Sequence, residues 1–220
     1  MKITSARIHV ADPSLGSLRG TANITIDNAY AMRGIRIFPK RDEPSKLTIL
    51  FPSKRENGRC REYYAPLNAD TRHMVEDFIL RQYAAHSDEL GEHIISAEAG
   101  DCMPNITGVR IHPSDSPDII TLADVQLDYC YALNDVVFKK MEDDDIRMEF
   151  PTQETQNGNI VQMFHPVSSP ARDYMFRSIM AAWQCSQERD PSIVYSTTAG
   201  IAVYTGRAFA MKTKSDHCYI

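Results

Sequence analysis

The sequence predicts an α+β fold written twice: two tandem small domains, each a four- to five-stranded antiparallel sheet with one C-terminal helix. Three observations carry this. Short runs of alternating apolar and polar residues, closed by turn residues, fill the first part of each half, as half-buried strands do. Late in each half the apolar period changes from two to four, as on one face of a helix. And the pattern of the first 83 residues returns from residue 103 at an offset of 99 to 103, with the shifts in or near turns.

Taken in order, Lys2 to Val10 alternates with Ala6, Ile8 and Val10 on one face, and Asp12-Pro13-Ser14-Leu15-Gly16-Ser17 closes it. Arg19 to Ile26 alternates again, and Asp27-Asn28 suits a tight hairpin turn. Tyr30 to Phe38 is a third strand. Its apolar phase slips from Tyr30 and Met32 to Ile35 and Ile37 around Arg33-Gly34, which predicts a bulge. Lys46 to Phe51 is a fourth strand, and Asn57-Gly58 turns the chain into a fifth, Arg59 to Tyr64. Asn68 is placed to cap a helix whose buried face is Val75, Ile79 and Tyr83.

In the second half, Ile106-Thr107-Gly108-Val109-Arg110-Ile111-His112 repeats Ile3-Thr4-Ser5-Ala6-Arg7-Ile8-His9 with five of seven residues identical. Ile146, Met148 and Phe150 stand where Leu47, Ile49 and Phe51 stood, and Met175, Ile179 and Trp183 replace the helix face, with Ser169-Pro170 at its start. The expected divisions are therefore copy one at 1–83, an acidic solvated linker at 84–102, copy two at 103–185 and a β-rich extension at 186–220. In the extension, Ile193–Thr197 and Ile201–Thr205 read as strands that extend a sheet edge or clasp the other copy; a flexible tail is the alternative.

The net charge of -5 hides an asymmetry. Residues 1–83 hold 14 Lys and Arg against 9 Asp and Glu, whereas residues 103–183 hold 6 against 12. The apolar runs are too short for a membrane span and the N-terminus lacks a signal peptide's apolar stretch, so a cytoplasmic protein is expected. Five scattered cysteines without zinc spacing read as free thiols. With no phosphate-cradling loop, nucleophile elbow or metal-spaced set apparent, no enzyme, catalytic residue, cofactor or metal is expected.

Copy one resembles the stage V sporulation protein G (SpoVG, septation protein) family. The resemblance rests on Met1-Lys2-Ile3-Thr4, Ile35-Arg36-Ile37, Phe51-Pro52-Ser53-Lys54-Arg55 with Asn57-Gly58, and Ala65-Pro66-Leu67-Asn68 with Thr71-Arg72. It covers residues 1–83 and, more weakly, 103–183. The family has His-Pro where copy one has Ala65-Pro66; copy two keeps His165-Pro166 but replaces the basic pair with Gln153-Glu154. The resemblance implies dimerisation through the sheet, binding to DNA and RNA, and a regulatory role in septation, sporulation, cell division and the cell cycle. A fused duplicate is then expected to pair copy one with copy two as an intramolecular pseudo-dimer, with further homo-oligomerisation open.

The candidate nucleic-acid-binding residues are Lys40 and Arg41 on a loop, Lys54, Arg55, Arg59 and Arg61 on or beside the basic turn, and Arg72 and Arg81 on the helix. Such a group neutralises phosphates and reads few bases. Glu56 and Glu62 are interleaved with it and weaken its field. Tyr63 and Tyr64 suit base stacking or core packing. His9 and His112 match in position and suggest a paired structural role near the pseudo-twofold axis, or a metal. Glu142-Asp143-Asp144-Asp145 reads as a solvated loop, with a cation site or mimicry of nucleic acid toward copy one as alternatives. The opposing functional reading is a protein–protein interaction module that binds no nucleic acid.

Overall fold

The computed structural model describes residues 1–56, 58–96, 103–143, 145–155, 158–188, 195–196 and 202–205. The first half runs β1 (Ile3–Val10), β2 (Gly20–Ile26), β3 (Tyr30–Pro39), β4 (Leu47–Leu50), β5 (Ser53–Glu56), β6 (Arg59–Glu62), β7 (Tyr64–Pro66), α1 (Ala69–His86) and β8 (Gly91–Ser96). The second runs β9 (Ile106–His112), β10 (Ile119–Leu127), β11 (Tyr131–Lys140), β12 (Ile146–Glu149), β13 (Thr152–Glu154), β14 (Ile160–Gln162), β15 (Phe164–Pro166) and α2 (Ser169–Glu188), followed by β16 (Tyr195–Ser196) and β17 (Ala202–Thr205). Up to α2, β8 and a short 3-10 turn at Pro13–Leu15 apart, the two halves use the same succession of elements, and the fold is the expected α+β one.

Local chemistry sets these elements. Asp27 and Asn28 both take positive φ, 47° and 51°, in the two-residue turn between β2 and β3, as a right-twisted hairpin requires. The predicted bulge lies at Arg33-Gly34: Ala22 pairs with Ile35 and Ile24 with Met32, so Asn23 alone faces two residues. The second half repeats it, with Asp124 facing Asn134 and Asp135. Asn68 caps α1 by accepting from the Thr71 N–H at 2.8 Å, and Thr71, Val75, Ile79 and Tyr83 are its buried face. The α2 cap is Ser168, one residue earlier than expected, accepting from the Ala171 N–H at 3.3 Å.

The halves are joined by exchanged strands. The short β7 of the first half pairs antiparallel with β11 of the second, Tyr64 opposite Leu133 and Pro66 opposite Tyr131. Reciprocally, β15 pairs with β3, Phe164 opposite Met32 and Pro166 opposite Tyr30. Flanking backbone bonds repeat too: Asn134 N–H donates to the Tyr63 carbonyl at 2.8 Å, and Arg33 N–H to the Met163 carbonyl at 2.7 Å. Tyr64 and Phe164 are fully buried in these exchanged positions, each edge-on to a phenyl ring of its own half, Phe51 and Phe150. The first sheet therefore has the order β15-β3-β2-β1-β8 with β4 also on β3, and the second β12-β11-β10-β9-β17-β16 with β7 also on β11. The two halves are paired within one chain, and neither completes its sheet alone.

One expectation changes here and one is narrowed. Residues 84–102 are not simply linker: α1 runs on to His86, and β8 forms an edge strand antiparallel to β1. Glu92-His93-Ile94-Ile95 has no polar–apolar alternation of its own, and it becomes a strand by laddering on β1's free edge, where exposed Glu92 and Ile94 alternate with half-buried His93 and Ile95. In the extension, β17 adds to the second sheet parallel to β9, the edge-extending option, and β16 pairs antiparallel with β17; the remaining residues of the two expected strands lie outside the described residues.

Candidate functional site

The exchange creates two equivalent seams, and their chemistry differs. At the first, the β5–β6 hairpin of the first half reaches β10 and β11. The hairpin register sets Lys54 opposite Arg61, so both side chains leave one face. Lys54 Nζ lies 3.1 Å from Asp135 Oδ2. Arg61 Nη2 donates to both oxygens of Asp124, at 2.8 and 3.0 Å, and lies 3.3 Å from Asp135 Oδ1. Glu56 completes the group at 3.6 Å from Lys54 and 3.7 Å from Arg61.

Asp124 is the hub. It is 7% exposed, accepts from His112 Nε2 at 2.7 Å and from the Asp135 N–H at 3.1 Å, and faces Arg61. Burial pushes its carboxyl up, but the His112 hydrogen bond, the charges of His112 and Arg61 and the Asp135 amide together outweigh burial and hold it below the ordinary value. Asp135 sits at φ 65° in the bulge, a left-handed position that Asp tolerates through its short polar side chain.

At the second seam the β13–β14 register sets Gln153 opposite Val161 where the first has Lys54 and Arg61. They face Asn23 and Gly34 in place of Asp124 and Asp135, so all four charges have neutral counterparts. The result is an open groove of about 590 Å³ lined also by Thr21, Arg33, Arg36, Glu154 and Met163. A second groove of about 490 Å³ shares Asn23, Arg33 and Val161 with it and continues along the sheet past Arg7 and His165. Arg33 and Arg36 make no ion pair among the described residues, whereas Arg7 lies 3.3 Å from Glu92. The His165 imidazole has a buried Nδ1 without a hydrogen-bond partner, and burial with the charges of Arg33 and Arg172 lowers its pKa.

The expected binding residues therefore divide. Lys54 and Arg61 are tied to the second half's carboxylates. Arg72 lies over the Phe51 ring at 5.4 Å and 3.8 Å from Glu76; Arg172 repeats the ring contact on Phe150 at 5.6 Å, which marks it as part of the fold. Arg81 Nε donates to the Asp77 carbonyl one turn back. Lys40, Arg41, Arg55 and Arg59 are exposed and make no ion pair among the described residues. Tyr64 is core, and its hydroxyl donates to the Arg33 carbonyl at 2.8 Å.

His9 and His112 have parted: His9 is exposed at the end of β1, and His112 serves Asp124. The acids that meet the basic hairpin are Asp124 and Asp135; Glu142, Asp143 and Asp145 are exposed. Arg33 and Arg36 were missed from sequence. The signal was their phase: they alternate with the buried Ile35 and Ile37 across the bulge, on the sheet face turned away from α1.

Fold and seams define a class: an α+β protein of two interlocked sheet-and-helix units, with a basic open face on the first. The SpoVG family profile matches residues 1–85. A Bdellovibrio bacteriovorus protein named "Putative septation protein SpoVG" is 31% identical over 97 residues, 44% of this chain and 85% of that protein. Proteins of the same name from Acholeplasma laidlawii and Bacillus pumilus are 35% identical over 85 residues and 32% over 101, covering 38% and 46% of this chain and 85% and 98% of theirs. The chain belongs to the SpoVG family. No helix among the described residues is long and apolar enough to cross a membrane.

Proposed function

We propose that this chain is a nucleic-acid-binding regulatory protein related to septation and sporulation regulators, cytoplasmic and without enzymatic activity. In this reading its second unit is a diverged copy of the first. DNA or RNA is held by the cations of the first unit, along the groove of Arg33 and Arg36 and out to Lys40 and Arg41, with Arg55 and Arg59 at the hairpin tip, while the second unit supplies the groove's other wall.

The observation that supports this is the contrast between seams. Where the second unit offers carboxylates, the hairpin's cations are neutralised; where it offers Gln153 and Val161, Arg33 and Arg36 stay open to a polyanion. The test is fluorescence anisotropy with labelled single- and double-stranded DNA and RNA over a salt series. Affinity should fall with salt by about 0.9 log unit per log unit for each duplex phosphate neutralised. Arg33→Glu with Arg36→Glu should abolish binding with the unfolding midpoint unchanged.

Lys54→Glu with Arg55→Glu is the poorer test, because reversing Lys54 sets a carboxylate against Asp135. Salt-insensitive or absent binding would leave the protein–protein module as the function.

A further inference from the structure

We propose that His86, Glu89 and His93 form a divalent-cation site, with Zn²⁺ as its first occupant, that fastens the edge strand β8 to the end of α1. No metal-ligand spacing was evident along the chain, because the three residues come from a helix end, a turn and a strand. The fold gathers them: one ligand atom from each lies within 4.8 Å of the others. Two imidazoles and one carboxylate are a zinc donor set, with a fourth position left for water.

The tautomer is already set. His93 Nε2 lies 2.8 Å from the Glu89 carbonyl oxygen and donates to it, which leaves the Nδ1 lone pair for a ligand. A backbone carbonyl orienting a ligating imidazole is the usual second partner of a metal-bound histidine. Nδ1 in turn faces Glu89 Oε2 at 3.9 Å. Two ligands each about 2.0–2.2 Å from a tetrahedral zinc stand roughly 3.4 Å apart, so a small closing motion brings both atoms onto one ion.

The His86 ring stacks on His93 with centroids 4.3 Å apart. The two ring planes are nearly parallel, 12° apart, so the site requires the His86 side chain to turn its ring edge toward the ion on binding. The local charge suits a cation, since residues 84–96 hold three carboxylates and no Lys or Arg.

The test is titration of the metal-stripped full-length protein with ZnCl₂ by calorimetry, with hydrogen exchange of the β8 amides as a second readout. One Zn²⁺ per chain is expected, with slower exchange along Gly91–Ser96. His86→Ala and His93→Ala should each weaken binding by about tenfold or more, while His9→Ala and His73→Ala leave it unchanged. His93→Ala also loses the bond to the Glu89 carbonyl and the stack on His86, so each variant is titrated where its metal-free unfolding curve shows it fully folded, and lost binding then reports lost ligands. Absence of binding, binding indifferent to His86 and His93, or unaltered β8 exchange would each overturn the site.

Discussion

At the residue scale, Asp124 decides how firmly the charged seam holds. Its carboxylate is almost wholly buried and engages His112, Arg61 and the Asp135 amide. Removing one partner from such a group costs more than the net worth of the pair, because the remaining charge is left desolvated. Arg61 keeps about a third of its side chain in solvent, which tempers that penalty. Asp124→Asn should therefore destabilise the protein by about 2 kcal/mol in urea unfolding at neutral pH.

The pH dependence follows from the sign of the shift. The folded pKa of Asp124 lies below its ordinary value of 3.8, so its stabilisation is fully present above that value and is lost as pH falls through the folded pKa. The difference between parent and Asp124→Asn should shrink over that acid range. A difference constant down to the acid limb would mean the carboxylate is not the stabilising group. From sequence, Asp124 was one more acidic residue on a strand. That it is buried beneath an arginine 63 positions earlier depends on a pairing no local pattern contains.

At the scale of elements, the bulges aim the seams. Each inserts one extra residue into β3 or β11, and so turns Arg33 and Gly34, or Asn134 and Asp135, toward the hairpin of the other unit. Gly34 has φ 83°, and a Cβ there would lie 3.4 Å from Met163 Sδ and 3.6 Å from the Pro52 Cβ. Space is adequate, so the left-handed backbone is the main cost. Gly34→Ala should destabilise by about 1 kcal/mol in thermal unfolding; a neutral outcome would mean the bulge relaxes.

This bulge was legible from the slip in apolar phase between Met32 and Ile35, and the long strands and helices were legible from their periods. The strands β7 and β15 were not. Three residues contain no measurable alternation, and Tyr64-Ala65-Pro66 reads locally as the entry to α1. β8 was missed for a related reason: its charge matches a linker, and only the open edge of β1 makes it a strand.

At the scale of the whole molecule, the unequal seams specify which units pair. If two first units paired with each other, Lys54 and Arg61 would meet Asn23 and Gly34 at both seams, with no carboxylate to neutralise them. If two second units paired, Asp124 and Asp135 would face Gln153 and Val161 at both. Pairing the unlike units gives one matched seam and one neutral one. A half-buried charge left without its partner costs about 3 kcal/mol, which corresponds to a preference of roughly a hundredfold for the unlike pair. Fragments 1–96 and 103–188, made separately and mixed, should therefore assemble as a 1:1 heterodimer in native mass spectrometry, well above the statistical share. Arg61→Gln in one fragment with Asp124→Asn in the other should return the mixture toward that share, because the seam that discriminates has been made neutral. High salt should act in the same direction but more weakly, since Asp124 is shielded from solvent ions. A statistical mixture from the unmodified fragments would show that backbone pairing of β7 and β15 alone selects the partner, and that the four charges serve stability without specificity.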